Sequence, residues 1–342
     1  MKVFRQVTLL LGLLAVTCVS SQPATATTQS PARKIIILRV PYPLTTTDHP
    51  YYVGLQDFKK RVETNSGDRL KVNIIHDPNL PPDAATLEQI RSGGYHLGLV
   101  ALSAWVSYTK ERLLLAWSLP FLYKDTDAAY SAWDSATANS SFSLYEKYGL
   151  KCIARWDGGF RSLSANKAVN SLTDIKGLKV RVPQSHVYLD TWKALAADPV
   201  TIGSSSEVYT ALMTGVVNAT DFPLLYLVSS KLYEVQKYAI VINYLNDPIC
   251  VTLSADFYGA LPPDLQDLVK DSAQAAAKAE RADVIRRNAQ ALETLRSKGV
   301  TIITPNLDPF RDAVNPVYKS FIAEHGKLGL HLLESIHRAS GS

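Results

Sequence analysis

Between residues 35 and 101 the chain alternates short apolar runs with amphipathic stretches. IIILRV (35–40) reads as a buried strand, and Leu55, Phe58 and Val62 then recur at helical spacing in a segment closed by Ser66-Gly67. LKVNII (70–75) predicts a second strand, ATLEQIRSGG (85–94) a short helix stopped by glycines, and LGLVA (97–101) a third strand. This β-α-β-α-β order implies a largely parallel sheet with helices on its faces. A helical stretch from 126 to 148 leads to the strand-like run KCIARW (151–156).

Beyond it the pattern starts again. Leu178, Val180 and Val182 alternate with Lys179 and Arg181, the period of a half-buried strand, and Pro183 ends the run because proline cannot donate to a ladder. Arg181 therefore stands near the carboxyl end of a strand, on the face opposite the apolar one. Ligands collect at that end in open α/β sheets, so Arg181 is either a solvated surface residue or a binding group. Helices follow at 187–197 and 204–215, where Ser204 and Glu207 fit a capping box and Gly215 suits the stop. VVNAT (216–220), a helix at 224–234 and the strand YAIVIN (238–243) complete a second α/β unit, and ICVTLS (249–254) is a further strand-like run. From 264 to 298 no proline interrupts an Ala-, Glu-, Lys- and Arg-rich segment, which as a helix would run about 50 Å and bridge both units. Two similar lobes suggest a ligand cleft between them.

Composition narrows the class. A chain of 342 residues with 46% hydrophobic content has room for two domains. A net charge of +5, without a long basic run, excludes nucleic acid as the expected partner and favours anionic small molecules. Residues 1–26 have a basic start (Lys2, Arg5), an apolar stretch from Val7 to Val19 and a small-residue Ala24-Thr25-Ala26 site, the pattern of a signal peptide. The apolar stretch is too short for a membrane span and no later segment qualifies, so the mature chain is expected to be secreted and not membrane-spanning. Cys152 and Cys250 lie in apolar runs; an oxidising compartment permits either two buried thiols or a disulfide. HExxH, CxxC, GxSxG, a Walker loop and GxGxxG are all missing, so nothing calls for a metal, a cofactor or an enzyme.

Two longer stretches, GGFRSLSANKAVNSLTDIKGLKVRVPQSHVYLDTWKALAADPV and SSSEVYTALMTGVVNATDFPLLYLVSSKLYEVQKY, resemble the extracytoplasmic solute receptors of TRAP transporters, the DctP type. The resemblance rests on G-F-R, D-x-K-G-L-K-V-R-V-P, A-L-x-A-x-P, E-V-Y-x-A-L-x-T-G-V-V and Y-E-V-Q-K-Y, in that order, with SLPFLY (118–123) ahead of them. It implies an α/β periplasmic-binding-protein fold of two lobes, 34–155 plus about 245–280 and 156–244 plus about 281–338, with a lobe-spanning helix and hinge closure over the ligand. It also implies a receptor that captures a small organic acid and delivers it to the membrane subunits of a TRAP transporter. An ABC-type or sensor-coupled binding protein, and a secreted enzyme acting on such an acid, are the alternatives.

By the same resemblance Arg181 binds the ligand carboxylate, which a planar guanidinium can meet with two parallel hydrogen bonds. Arg161 aligns with a second arginine that is either a ligand contact or half of a structural ion pair. The family's D-G-x-E-N-P reads Asn218-Ala219-Thr220-Asp221-Phe222-Pro223 here, so an aromatic ring replaces an amide. Phe222 is then either an apolar wall of the cleft or core packing. Asp221 and Glu207 belong to the same segments, Trp156, Trp192 and Tyr226 offer further aromatic walls, and Tyr42, His49, Asn79 and Trp105 are the first-lobe candidates.

Overall fold

Apolar runs become strands wherever the predicted alternation is strong. The computed structural model describes residues 35–42, 47, 49–77, 80, 83–202 and 205–341; the leader, Asn79 and Ser204 lie outside them. Its strands are β1 (Ile36–Tyr42), β2 (Leu70–His76), β3 (Leu97–Ala101), β4 (Leu150–Asp157), β5 (Arg161–Ala165), β6 (Lys179–Val182), β7 (Asp198–Thr201), β8 (Ala219–Pro223), β9 (Tyr238–Leu245), β10 (Pro248–Ser254) and β11 (Thr301–Ile303). β1 and β2 pair in parallel, β10 lies between β3 and β4, and a six-stranded sheet follows the order β11-β9-β5-β8-β6-β7.

The expectation of a largely parallel sheet is corrected. β10 runs antiparallel to both β3 and β4, and β5 antiparallel to both β8 and β9. β10 returns to the first lobe after the chain has built most of the second, so no local crossover dictates its direction. Its seven residues are all buried, as the central strand of its sheet requires.

The helix Pro263–Ser297 joins the lobes, as predicted. Leu265, Val269, Ala273, Ala276 and Ala277 on it pack into the core beneath β1 and β2. Further along, Ala291 and Leu295 enter a different cluster with Val208, Leu212, Phe222 and Leu227. Gly54, on the helix Pro50–Asn65, lets the two helices close: a Cβ there would sit 2.6 Å from the Trp156 ring and 2.9 Å from Glu280 Cβ. The helical stretch at 126–148 divides into Thr126–Trp133, Ala136–Phe142 and a 3-10 turn over Ser143–Tyr148. Among the described residues no helix is long and apolar enough to cross a membrane.

Candidate functional site

β6 explains the environment of Arg181. Leu178, Val180 and Val182 face a large core with Trp192, Ile240 and Tyr244, as their alternation requires. The opposite face is not open to solvent, because Val200, Phe222 and the helix Ser205–Met213 cover it with the cluster around Val208 and Leu212. Arg181 is consequently 2% exposed. Its Nε and one Nη donate to the Ile202 carbonyl at 2.9 and 2.6 Å, which fixes the guanidinium beyond the end of β7. Among the described residues no carboxylate stands within ion-pair distance of it. Burial, with the nearby Arg161 charge, lowers its pKa to about 10 despite an opposing contribution from Asp221, so at neutral pH the group remains a cation.

Arg161 has a different fate. It begins β5, opposite Pro223 of β8, and its Nε and Nη2 reach the Asp221 carboxylate at 3.0 and 3.1 Å. The same Nη2 also donates to the Asp221 carbonyl. Asp221 accepts a further hydrogen bond from the Tyr244 hydroxyl, which in turn receives one from Trp192 Nε1 at 3.2 Å. Arg161 and Asp221 thus form a bidentate buried pair, with the Tyr188 ring 4.9 Å from the guanidinium. Asp221 pairs with one of the two guanidinium groups, and the surplus positive charge resides on Arg181.

Phe222 packs in a core and also faces both arginines. It is 7% exposed within the Val208 cluster, yet its ring lies 4.8 Å from the Arg181 guanidinium and 5.3 Å from that of Arg161. Tyr226 stacks on it at 5.7 Å and 15°. His49 of the first lobe meets Tyr226 edge-on at 5.2 Å and caps the helix Pro50–Asn65 by accepting from the Tyr51 amide. His49, Tyr226, Phe222 and Arg181 form a file of planar groups running from one lobe into the other.

The remaining candidates are spread more widely. Trp156 is fully buried in the first-lobe core and donates to the Ala273 carbonyl at 3.1 Å. Trp105 is fully buried against Tyr145 and donates to Thr252 Oγ1 at 2.9 Å. Tyr42 is fully buried beside Tyr52 and His76. All three pack inside cores, where each indole N–H is spent and the phenol is enclosed by rings. Glu207 is exposed on the helix Ser205–Met213, and Asn79 lies outside the described residues.

Sequence reasoning missed Asp247. Its carboxylate accepts from Ser118 Oγ at 2.6 Å, Tyr188 OH at 3.1 Å and the Ser103 amide at 3.2 Å, tying the first lobe to the second beside the arginines. No motif marks it, since its partners come from three distant segments.

Two α/β lobes, a helix running through both and a buried cation placed at strand ends near their junction define a solute-binding receptor. Residues 44–325 match the model for bacterial extracellular solute-binding protein, family 7, and the chain belongs to that family, DctP. An uncharacterised protein of Haemophilus influenzae is 32% identical over 301 residues, 87% of this chain and 90% of the relative. The 2,3-diketo-L-gulonate-binding periplasmic protein YiaO of Escherichia coli is 26% identical over 302 residues, 87% of this chain and 90% of that protein. The solved structure of a sugar acid binding protein from Advenella mimigardefordensis in complex with galactonate superimposes with a TM-score of 0.83 at 26% identity, covering 90% of this chain and all of that one. A TRAP periplasmic solute-binding protein from Haemophilus influenzae with bound L-gulonate gives 0.83 at 26% identity, covering 89% and 99%. The chain is a TRAP-type receptor with the two-lobed fold.

Proposed function

We propose that this chain captures a small sugar-acid or hydroxy-acid monocarboxylate in the periplasm and delivers it to the membrane subunits of a TRAP transporter. One observation carries the reading: Arg181 is a buried cation whose only acceptor among the described residues is a neutral carbonyl, while its neighbour Arg161 already has a carboxylate. A buried guanidinium cannot shed its proton at neutral pH, so an incoming carboxylate supplies the missing charge. The relatives that hold galactonate and L-gulonate support an acid of this class. Phe222 leaves an aromatic face beside the anchor, so the portion of the ligand next to the carboxylate is apolar or planar on one side.

Mass spectrometry of small molecules released from the purified protein, followed by calorimetric titration of galactonate, gulonate and shorter hydroxy acids into the emptied protein, tests this reading. Binding of an acid that Arg181→Ala abolishes and Arg181→Lys partly restores supports it. Equal binding of the matching neutral amide or alcohol overturns it.

A further inference from the structure

Cys152 and Cys250 lie on adjacent strands of the first-lobe sheet, both as free thiols. Across the ladder Cys250 faces Arg155 and Thr252 faces Cys152, with a register shift between Val251 and Thr252 that places the cysteines diagonally. Cys250 is part of a core cluster and Cys152 packs against that same cluster. Beside them stands Arg155, 5% exposed, with Nη2 donating to Asn139 Oδ1 at 2.7 Å, the Phe142 ring 5.4 Å away and a buried Nε that has no partner among the described residues. A buried guanidinium that pairs with no carboxylate among the described residues, opposite Cys250 on the ladder, is an environment that stabilises a thiolate.

We propose that Cys152 and Cys250 form a disulfide in the extracytoplasmic compartment, with Cys152 as the attacking sulfur and Arg155 as the residue that prepares it. Cys152 is part-buried on the edge strand β4 and therefore approachable, while Cys250 is fully enclosed on the central strand. Burial pushes the Cys152 thiol up, but a hydrogen bond from Cys250 and the Arg155 charge reverse this and leave it below its ordinary pKa. That of Cys250 is raised, by burial first and Cys152 second. The oxidant is a disulfide of the kind a thiol-oxidising protein carries. The Cys152 thiolate attacks one of its sulfurs and expels the other as a thiolate, giving a mixed disulfide. Cys250 then loses its proton and attacks the Cys152 sulfur, which expels the second oxidant sulfur. Two protons and two electrons leave the receptor, and the oxidant becomes a dithiol.

The bridge has a mechanical consequence. The chain leaves the first-lobe sheet at the end of β4 and returns to it at the start of β10, so the closed loop contains β5 to β9. A disulfide between β4 and β10 staples together the two strands from which the second lobe is suspended. This inference does not depend on the identity of the ligand.

The test uses the exported full chain, denatured without reductant, alkylated with N-ethylmaleimide and digested. A linked peptide pair holding Cys152 and Cys250, two hydrogens lighter than the sum of its parts, supports the proposal, as does a melting temperature that falls by at least about 5 °C on reduction in the parent but not in Cys152→Ser. Alkylation of both cysteines, persisting after the native protein is incubated with oxidised glutathione, overturns it. In the reduced protein Arg155→Met should slow alkylation of Cys152 and move its pH midpoint upward, with Arg155→Lys in between. An unchanged midpoint overturns the role given to Arg155.

Discussion

Two buried clusters near the lobe junction carry opposite surplus charges and resolve them differently. At the ends of β5, β6 and β8, Arg161 and Arg181 stand near the Asp221 carboxylate, which pairs with Arg161. Where β4 leaves the first lobe, Asp157 and Glu280 are both fully buried, and Glu280 Oε2 accepts the Asp157 amide at 3.0 Å. Tyr130 OH and the Gly159 amide donate to the Asp157 carboxylate at 2.6 and 2.7 Å. The nearby Arg281 directs its guanidinium to Asp134 and the Arg155 carbonyl instead. Burial raises the pKa of both acids, and the Asp157 charge raises Glu280 further. A carboxyl group in such a place relieves its charge by binding a proton, whereas a guanidinium has no accessible neutral form and needs a counter-ion. The acidic cluster can therefore satisfy itself, whereas on the function proposed above the basic one takes its counter-ion from a ligand.

The sharpest break of that comparison is removal of the unpaired cation. Arg181→Ala should cost about 2–5 kcal/mol of ligand binding, roughly 30-fold to several-thousand-fold in affinity. The ligand-free protein should melt no lower than the parent, because the deleted charge had no ionic partner. Calorimetric titration and thermal unfolding of the same preparation read both outcomes. A large stability loss with intact affinity would reverse the roles given to Arg181 and Arg161.

Breaking the satisfied pair should do the opposite. Asp221→Asn leaves Arg161 without its carboxylate and deprives Tyr244 of a charged acceptor, costing about 3–5 kcal/mol of stability. Denaturant unfolding measures it, and a midpoint equal to the parent's would show that Arg161 finds its own counter-ion.

Phe222→Asn lies between these cases. The ring fills the Val208 cluster as well as facing the arginines, so the substitution should cost on the order of 3 kcal/mol of stability. Among acids still bound, more hydroxylated ones should gain relative to the native ligand. Paired melting curves and competition titrations separate the two effects.

The smallest expected change sharpens the acidic side. A carboxyl whose folded pKa is raised binds more protons in the native state than in the unfolded one. Its contribution to stability is present below the ordinary carboxyl range and is lost as pH climbs towards the folded pKa. Glu280→Gln keeps an acceptor for the Asp157 amide without the charge, so the variant should melt a few degrees above the parent at pH 7, with the gap narrowing near pH 4. A gap independent of pH would mean that Glu280 does not titrate with folding.

Much of the frame was legible along the chain. β3 was read with its observed bounds, and β2 and the long helix to within a residue, because strong periodicity and the absence of proline are local signals. β5, β7 and β11 escaped, being five residues or fewer and carrying little pattern of their own. So did the helix Asn315–Ser340, which packs against the helices Thr126–Trp133 and His186–Ala194. Arg181, Arg161, Asp221 and Phe222 were named from short motifs, and the structure brings those four together. Asp247, Glu280 and Asp157 were not, since a buried carboxylate reads along the chain like any surface acid.

The sequence by itself determined the strongly patterned strands and helices, that a helix runs through both lobes, and that an arginine stands at the end of β6. Side-chain period and turn chemistry are properties of neighbours a few residues apart, and they need no tertiary partner. Only the folded structure decided that the second face of β6 is covered, that Asp221 belongs to Arg161, and that Arg181 pairs with no carboxylate among the described residues. Those outcomes depend on which distant groups enter the same low-dielectric volume, where one carboxylate cannot neutralise two guanidinium groups and the geometry of the strand ends selects the one it serves.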